Sequence, residues 1–286
     1  MNLAPIEETV VTFGKNESQL GILTPTKDPK GSERPTFILL NAGIVHHIGP
    51  YRSTVDLSRR LEKSGFSSFR FDLSGLGDSE SRQDQQSDRE RACFDIDAAL
   101  NHLEKTYSIK KFVLYGLCSG ADNGHLVAVR DPRIVGCVFL DGFFYTTLGY
   151  HFHYYWSRII DFSRWKSVFF RVVRFIQSIL SSFLHPKPHE ENLNVTRTFV
   201  REFPNQKQVE GEIQQLIDRN VELLYIYSGG TINHINYKGQ FRAMFPRLRW
   251  KSNIEMEYRP TSDHTYSLLE GREWLQQRIL TWCEKF

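Results

Sequence analysis

From residue 34 onward, short apolar runs alternate with stretches of helical periodicity, and that alternation restricts the chain to few folds. The runs are "RPTFILLNAG" (34–43), "SSFRFDLSG" (67–75), "KKFVLYG" (110–116), "RIVGCVFLDG" (133–142), "VELLYIYSGG" (221–230) and "NIEMEYRP" (253–260). Each is short and bounded by turn residues, as buried strands are. Between them, 51–65 carries Val55, Leu57 and Leu61 at helical spacing and stops at Gly65. A second helix is expected over about 88–106, through Ile96, Ala99, Leu100 and Leu103. A third runs from the turn after "KKFVLYG" to about 130, and an amphipathic helix closes the chain over 266–285. Ahead of them, 8–14 and 18–24 flank a short polar turn and read as a β-hairpin. The order predicts an α/β fold with a mainly parallel sheet and helices on both faces.

One interval breaks the rhythm. Residues 143–215 are too many for an ordinary crossover and begin with Phe143, Phe144, Tyr145, Tyr150, Phe152, Tyr154, Tyr155 and Trp156. The interval reads as an inserted helical cap on a core made of 1–142 and 216–286. Inside it, Ser167, Arg171, Arg174, Ser178 and Ser181 form one wet stripe at helical spacing over 165–184. The two arginines argue against a membrane span. Cap packing, lining for an apolar substrate, a docking surface and contact with a membrane surface stay open for this stretch.

Composition excludes some partners. With 36 Lys+Arg against 33 Asp+Glu the net charge is only +3, and no basic block stands out, so no nucleic-acid partner is expected. The first residues, MNLAPIEETVV, lack a basic stretch followed by an apolar core, which predicts a cytoplasmic protein with free thiols. Cys93, Cys118, Cys137 and Cys283 show no metal-ligand spacing, so neither a metal nor another cofactor is expected.

The chemistry concentrates in "LYGLCSGAD", 114–122. A nucleophile on a sharp strand-to-helix turn needs small residues two places to either side. Gly116 and Gly120 meet that need around Cys118 and not around Ser119. The apolar strand before and the helix-compatible run after complete the context. A thiol at a helix N-terminus also meets a positive dipole that favours the thiolate. Cys118 is therefore the expected nucleophile.

These features, together with "LLNAG" (39–43), "RFDLSGLGDS" (70–79) and "DHTYS" (263–267), resemble the α/β-hydrolase fold over nearly the whole length. The elbow "GLCSGA" most resembles cysteine-type hydrolases associated with bacterial exosortase systems, and is similar to the thiol elbow of dienelactone hydrolases. The resemblance implies His264, between the last strand and last helix, as general base. It implies an oxyanion hole from the backbone N–H of Ser119 and the Ala42-Gly43-Ile44 loop, with the Ser119 hydroxyl incidental. The third member stays open. The usual acid position after "VELLYIY" falls on Thr231, with Asn233 two residues on; Asp141, ending the strand after the nucleophile helix, is favoured over Asn233 or no acid. Asp263 is expected to cap its own loop.

The expected reaction passes through a Cys118 acyl-enzyme formed from an ester, thioester or lactone. Hydrolysis is the default, with acyl transfer or cyclisation as alternatives, and a non-catalytic binding protein as the competing class. The aromatic cap suggests a partly hydrophobic acyl substrate, either a small molecule or carrier-bound. Self-association stays open.

Overall fold

The computed structural model describes residues 6–82, 85–160, 201, 203–231 and 234–286. Its strands are β1 (Thr9–Phe13), β2 (Gln19–Thr24), β3 (Thr36–Leu39), β4 (Ser68–Phe71), β5 (Phe112–Leu117), β6 (Ile134–Leu140), β7 (Glu222–Ser228) and β8 (Ile254–Arg259). They form one sheet in the order β1-β2-β4-β3-β5-β6-β7-β8. The β1–β2 and β2–β4 pairs are antiparallel, and every pair from β4 to β8 is parallel. This is the mainly parallel sheet that the strand and helix order predicts, arranged as in the α/β-hydrolase fold that the motifs resemble.

Burial follows position in the sheet. Every residue of the central β5 is buried, because helices cover both of its faces, and its sequence is correspondingly an unbroken apolar run. The edge strand β1 keeps an exposed side and buries only Val11 and Phe13. On one face α1 (Ser53–Lys63) and α7 (Leu269–Cys283) bring Leu57, Leu61, Leu275, Ile279 and Trp282 against Phe37, Leu39, Val113 and Leu224. On the other, α2 (Asp88–Tyr107) and α3 (Ser119–Arg130) bring Ile96, Leu100, Leu103 and Val127 against Phe69, Phe71, Leu114 and Cys137. Ser87 caps α2 through a reciprocal Ser87–Glu90 box, which is why that helix starts where it does.

Within 143–215 the described residues hold α4 (Leu148–Ile160) and most of α5 (Gln206–Asp218). The stretch 165–184 lies outside the described residues. α5 packs on the core: Val209, Ile213, Leu216 and Ile217 are fully buried in the α2/α3 layer, so the boundary drawn at 215 falls inside a helix that covers the sheet. A short helix, α6 (Gln240–Met244), follows β7 and buries Phe241 and Met244. Tyr145 Oη donates to the Pro204 carbonyl at 2.7 Å, and the Phe144 and Phe203 rings sit 4.5 Å apart. The chain thus leaves the core and returns to it at one spot. Among the described residues no helix is long and apolar enough to cross a membrane.

Candidate active site

Cys118 joins β5 to α3 with φ 57° and ψ −121°, outside the regions a residue with a side chain ordinarily adopts. Such a conformation costs on the order of 1–3 kcal/mol and persists only where its surroundings hold it. Here its N–H donates to the Leu140 carbonyl (2.8 Å), and its carbonyl accepts from Ala121 and Asp122 N–H (3.0 and 3.2 Å). The flanking glycines are a packing requirement. A Cβ on Gly116 would lie 2.4 Å from the Gly120 carbonyl carbon, and one on Gly120 would lie 2.4 Å from the Asn41 carbonyl oxygen. The strained residue in the frame is 118, and the serine at 119 already belongs to the helix.

The sequence-expected histidine and aspartate meet at this elbow. His264 Nδ1 donates to Asp141 Oδ2 at 2.7 Å, and the Cys118 side chain is near enough to the same imidazole to act on its basicity. Asp141 lies just past β6, only 1% exposed, and its N–H donates to the Ile226 carbonyl. Its carboxylate also accepts from Ser228 N–H and Ser228 Oγ, each at 2.7 Å. Ser228 ends β7, and no motif pointed to it; the β6–β7 register, which pairs Leu140 with Ile226, brings it beside Asp141. The Asp141 hydrogen bond first, and the Cys118 contact second, raise the His264 pKa from its ordinary 6.5 to about 10. The imidazolium is therefore the favoured form at neutral pH.

The loop after β7 explains its own sequence. A Cβ on Gly230 would lie 2.2 Å from the His264 backbone nitrogen, and one on Gly229 would lie 2.0 Å from the Pro260 carbonyl oxygen. The glycine pair lets this loop press on the histidine loop, with Gly230 N–H donating to Ser262 O at 3.1 Å. Gly230→Ala is accordingly expected to push the His264 loop outward and to lower kcat/KM about tenfold or more; steady-state rates beside a thermal melt check this. Asn233 and the Thr231 side chain lie outside the described residues. Asp263 caps its loop as expected, accepting from the N–H and hydroxyl of both Thr265 and Ser267. Partial burial works against its ionisation, but those hydrogen bonds bring its pKa down to about 2.

At the expected oxyanion hole, Gly43 (φ 57°) turns its N–H onto Ser119 Oγ at 2.8 Å. The Ser119 hydroxyl, expected to be incidental, is thus the acceptor that ties the 41–45 loop to α3. The Ile44 side chain on that loop is 81% exposed. Asp72, fully buried, braces the loop from behind. It accepts from Asn41 Nδ2 (3.0 Å), His47 N–H (2.6 Å), His47 Nδ1 (2.7 Å) and Asp78 N–H (3.1 Å). A Cβ on Gly77 would overlap its carboxylate at 2.2 Å, so the glycines of "GLGDS" shape this neighbouring loop. His47, Asp72 and Asp78 place possible metal ligands within 4.8 Å of one another, but these hydrogen bonds already occupy the Asp72 carboxylate. Of the other histidines, His151 stacks on Tyr155 and His153 on Tyr237. Cys93, Cys137 and Cys283 are buried, and burial raises each of their thiol pKa values.

Arg201, ahead of α5, packs against the site. Its guanidinium makes a two-point ion pair with Asp122 on α3 (2.8 and 2.9 Å) and also donates to the Asp141 carbonyl (3.2 Å). Burial raises the Asp122 pKa to about 6, against the opposing pull of Arg201.

Residues 33–204 match the hydrolase family described as serine aminopeptidase, S33. The chain belongs to that family of α/β hydrolases. The match spans the elbow and Asp141 and ends ahead of His264. No curated protein matches this hydrolase. Among solved structures it is similar to an esterase of Pyrococcus furiosus, with TM-score 0.61 and 15% identity over 98% of this chain and 92% of that one. It is also similar to a putative hydrolase of Agrobacterium vitis (TM-score 0.56, 14% identity, 98% and 100% covered). The mouse alpha/beta hydrolase domain-containing protein 10 is a further likeness (0.56, 11%, 97% and 99%). At these identities the likenesses establish the shared fold.

Proposed function

We propose that this α/β hydrolase cleaves ester or thioester bonds through a covalent acyl-enzyme on Cys118. The observation that carries the reading is the line Cys118–His264–Asp141, with His264 raised to about 10. A serine nucleophile needs a neutral imidazole to take its proton. A thiol instead works as thiolate beside imidazolium, and a histidine this basic holds that pair together. The α3 N-terminus adds its dipole.

In the proposed sequence the Cys118 thiolate attacks the acyl carbonyl carbon and a C–S bond forms. The carbonyl oxygen takes the charge and is met by the Ser119 N–H, which as a first-turn amide has no intrahelical acceptor. As the tetrahedral intermediate collapses, the bond to the leaving oxygen or sulfur breaks and His264 donates its proton there. Neutral His264 next takes a proton from water as that water attacks the thioester. Breaking of the C–S bond then restores thiolate and imidazolium. Asp141 holds Nδ1 throughout, so that Nε2 faces the reacting atoms. An amine or thiol acceptor in place of water would give acyl transfer by the same steps. The substrate is proposed to be a partly hydrophobic acyl compound, small or carrier-bound, and a built Cys–His–Asp line argues against a purely binding role.

The test is intact-mass detection of an acyl adduct with p-nitrophenyl esters, followed by the pH dependence of kcat/KM. Adduct on Cys118 and a rate that holds through neutral pH and falls as pH rises through about 10 are expected, because the alkaline loss removes the imidazolium. Adduct on Ser119, or an acid limb at an ordinary histidine value with no alkaline fall, would overturn the proposal.

A further inference from the structure

We infer that the Ser119 hydroxyl is itself an oxyanion donor, polarised for that task by Gly43; this rests on Cys118 acting as the nucleophile. Three observations converge on it. The Ser119 Oγ accepts the Gly43 N–H at 2.8 Å, so the loop amide expected to face the substrate is already spent on the hydroxyl. Among the described residues no acceptor takes the Ser119 O–H in return, although the residue is only 8% exposed. The residue is also the first of α3 and follows Cys118 directly in the chain, so its own N–H is an orphan helix-start donor.

A hydroxyl that accepts one hydrogen bond becomes a stronger donor of the next, and the strengthening is larger where water is scarce. Gly43 N–H to Ser119 Oγ, and Ser119 O–H to the substrate oxygen, form such a relay. The O–H and N–H of one residue are close enough to meet a single oxygen. Gly43 enters by its conformation: at φ 57° nothing lies within 4 Å of where its Cβ would be, so space does not demand glycine there, whereas the direction of its N–H does. The loop amide therefore acts through Ser119, and the hydroxyl is the group that touches the reacting oxygen.

The test compares Ser119→Ala and Ser119→Thr with the parent enzyme on a p-nitrophenyl ester and on the matching thionoester, whose sulfur accepts hydrogen bonds weakly. Losing one such donor costs up to about a hundredfold or more in characterised sites, and less where a backbone donor remains. Ser119→Ala is expected to lower kcat/KM for the oxygen ester by roughly 10- to 100-fold, the thionoester by less than about threefold, and to leave Cys118 alkylation intact. Ser119→Thr, which keeps the hydroxyl, is expected to retain most of the oxygen-ester rate, with melting temperatures confirming that both variants fold. Equal losses on the two esters would reduce Ser119 to a tie for the loop and overturn the inference, as would no loss on either. Absence of an adduct on Cys118 in the parent enzyme would instead remove the nucleophile assignment beneath it, which intact mass reads separately.

Discussion

Cys118→Ala is expected to form no acyl adduct and to lose roughly ten-thousand-fold or more in kcat/KM, about 5 kcal/mol of transition-state stabilisation. Among the described residues no other side chain of the site can replace the sulfur. Ser119 is in the helix and its hydroxyl is engaged by Gly43, while the other three thiols are buried in the core. The more informative variant is Cys118→Ser. At neutral pH a histidine near 10 is protonated and cannot accept a serine proton, and part of that elevation persists because the Asp141 hydrogen bond is its largest cause. Cys118→Ser should therefore be poor at pH 7 and recover partially as pH is raised, while the parent rate is already flat. A Cys118→Ser rate equal to the parent at neutral pH would mean that His264 is an ordinary base. Single-turnover release of p-nitrophenol across pH, with adduct mapping, measures both.

Asp141→Asn is the second large effect: kcat/KM is expected to fall by roughly ten- to a thousandfold, about 1.4–4 kcal/mol. The carboxylate holds Nδ1 of His264 and takes two hydrogen bonds from Ser228. An asparagine turns one acceptor into a donor facing those donors, so stability should drop too, by about 1–3 kcal/mol for the misplaced buried group. The pH dependence has a definite sign. Because folding raises the His264 pKa above 6.5, its contribution to stability is complete below 6.5 and is lost as pH rises through about 10. Melting temperatures of the parent should carry that decline between the two values, and Asp141→Asn should flatten it. Asn233→Ala should do much less to the rate. A large loss there beside near-normal Asp141→Asn would move the third member to the later loop, and near-normal rates in both would reduce the site to a dyad.

Much of this was legible in the sequence because it rests on local rules. Strand runs, helix spacing and the Gly116–Cys118–Gly120 frame depend on neighbours a few residues away, while His264 and Asp141 are expected only through the resemblance to the α/β-hydrolase fold. What escaped depends on register and long-range hydrogen bonds. Ser228 is unremarkable in "YIYSGG" until β6 and β7 align it with Asp141. Asp72 reads as one letter of a loop motif, but it acts as a buried four-bond brace 31 residues from Asn41. The Ser119 hydroxyl reads as incidental because only its backbone belongs to the elbow, and its partner at Gly43 is 76 residues away. For α5, Val209, Ile213, Leu216 and Ile217 are spaced for a buried helix. That spacing cannot tell a helix packed on the sheet from one packed within an insertion.

The meeting of Tyr145 with Pro204, and of Phe144 with Phe203, has a consequence for how such enzymes diversify. With Tyr145 and Pro204 joined at the sheet, a segment inserted between them would meet the core as a closed loop, and loop-closure entropy grows only slowly with the length between fixed ends. The stretch between them is expected to accept segments of different size or composition with little effect on folding of the core, as domain insertions do where chain ends lie close; melting temperatures of such chimeras check this. Arg201 sets the limit of that freedom. A graft that keeps it retains the link between the new segment, the nucleophile helix and the Asp141 carbonyl. Chimeras cut between Tyr145 and Arg201 should then trade substrate range while Cys118, His264 and Asp141 stay in place.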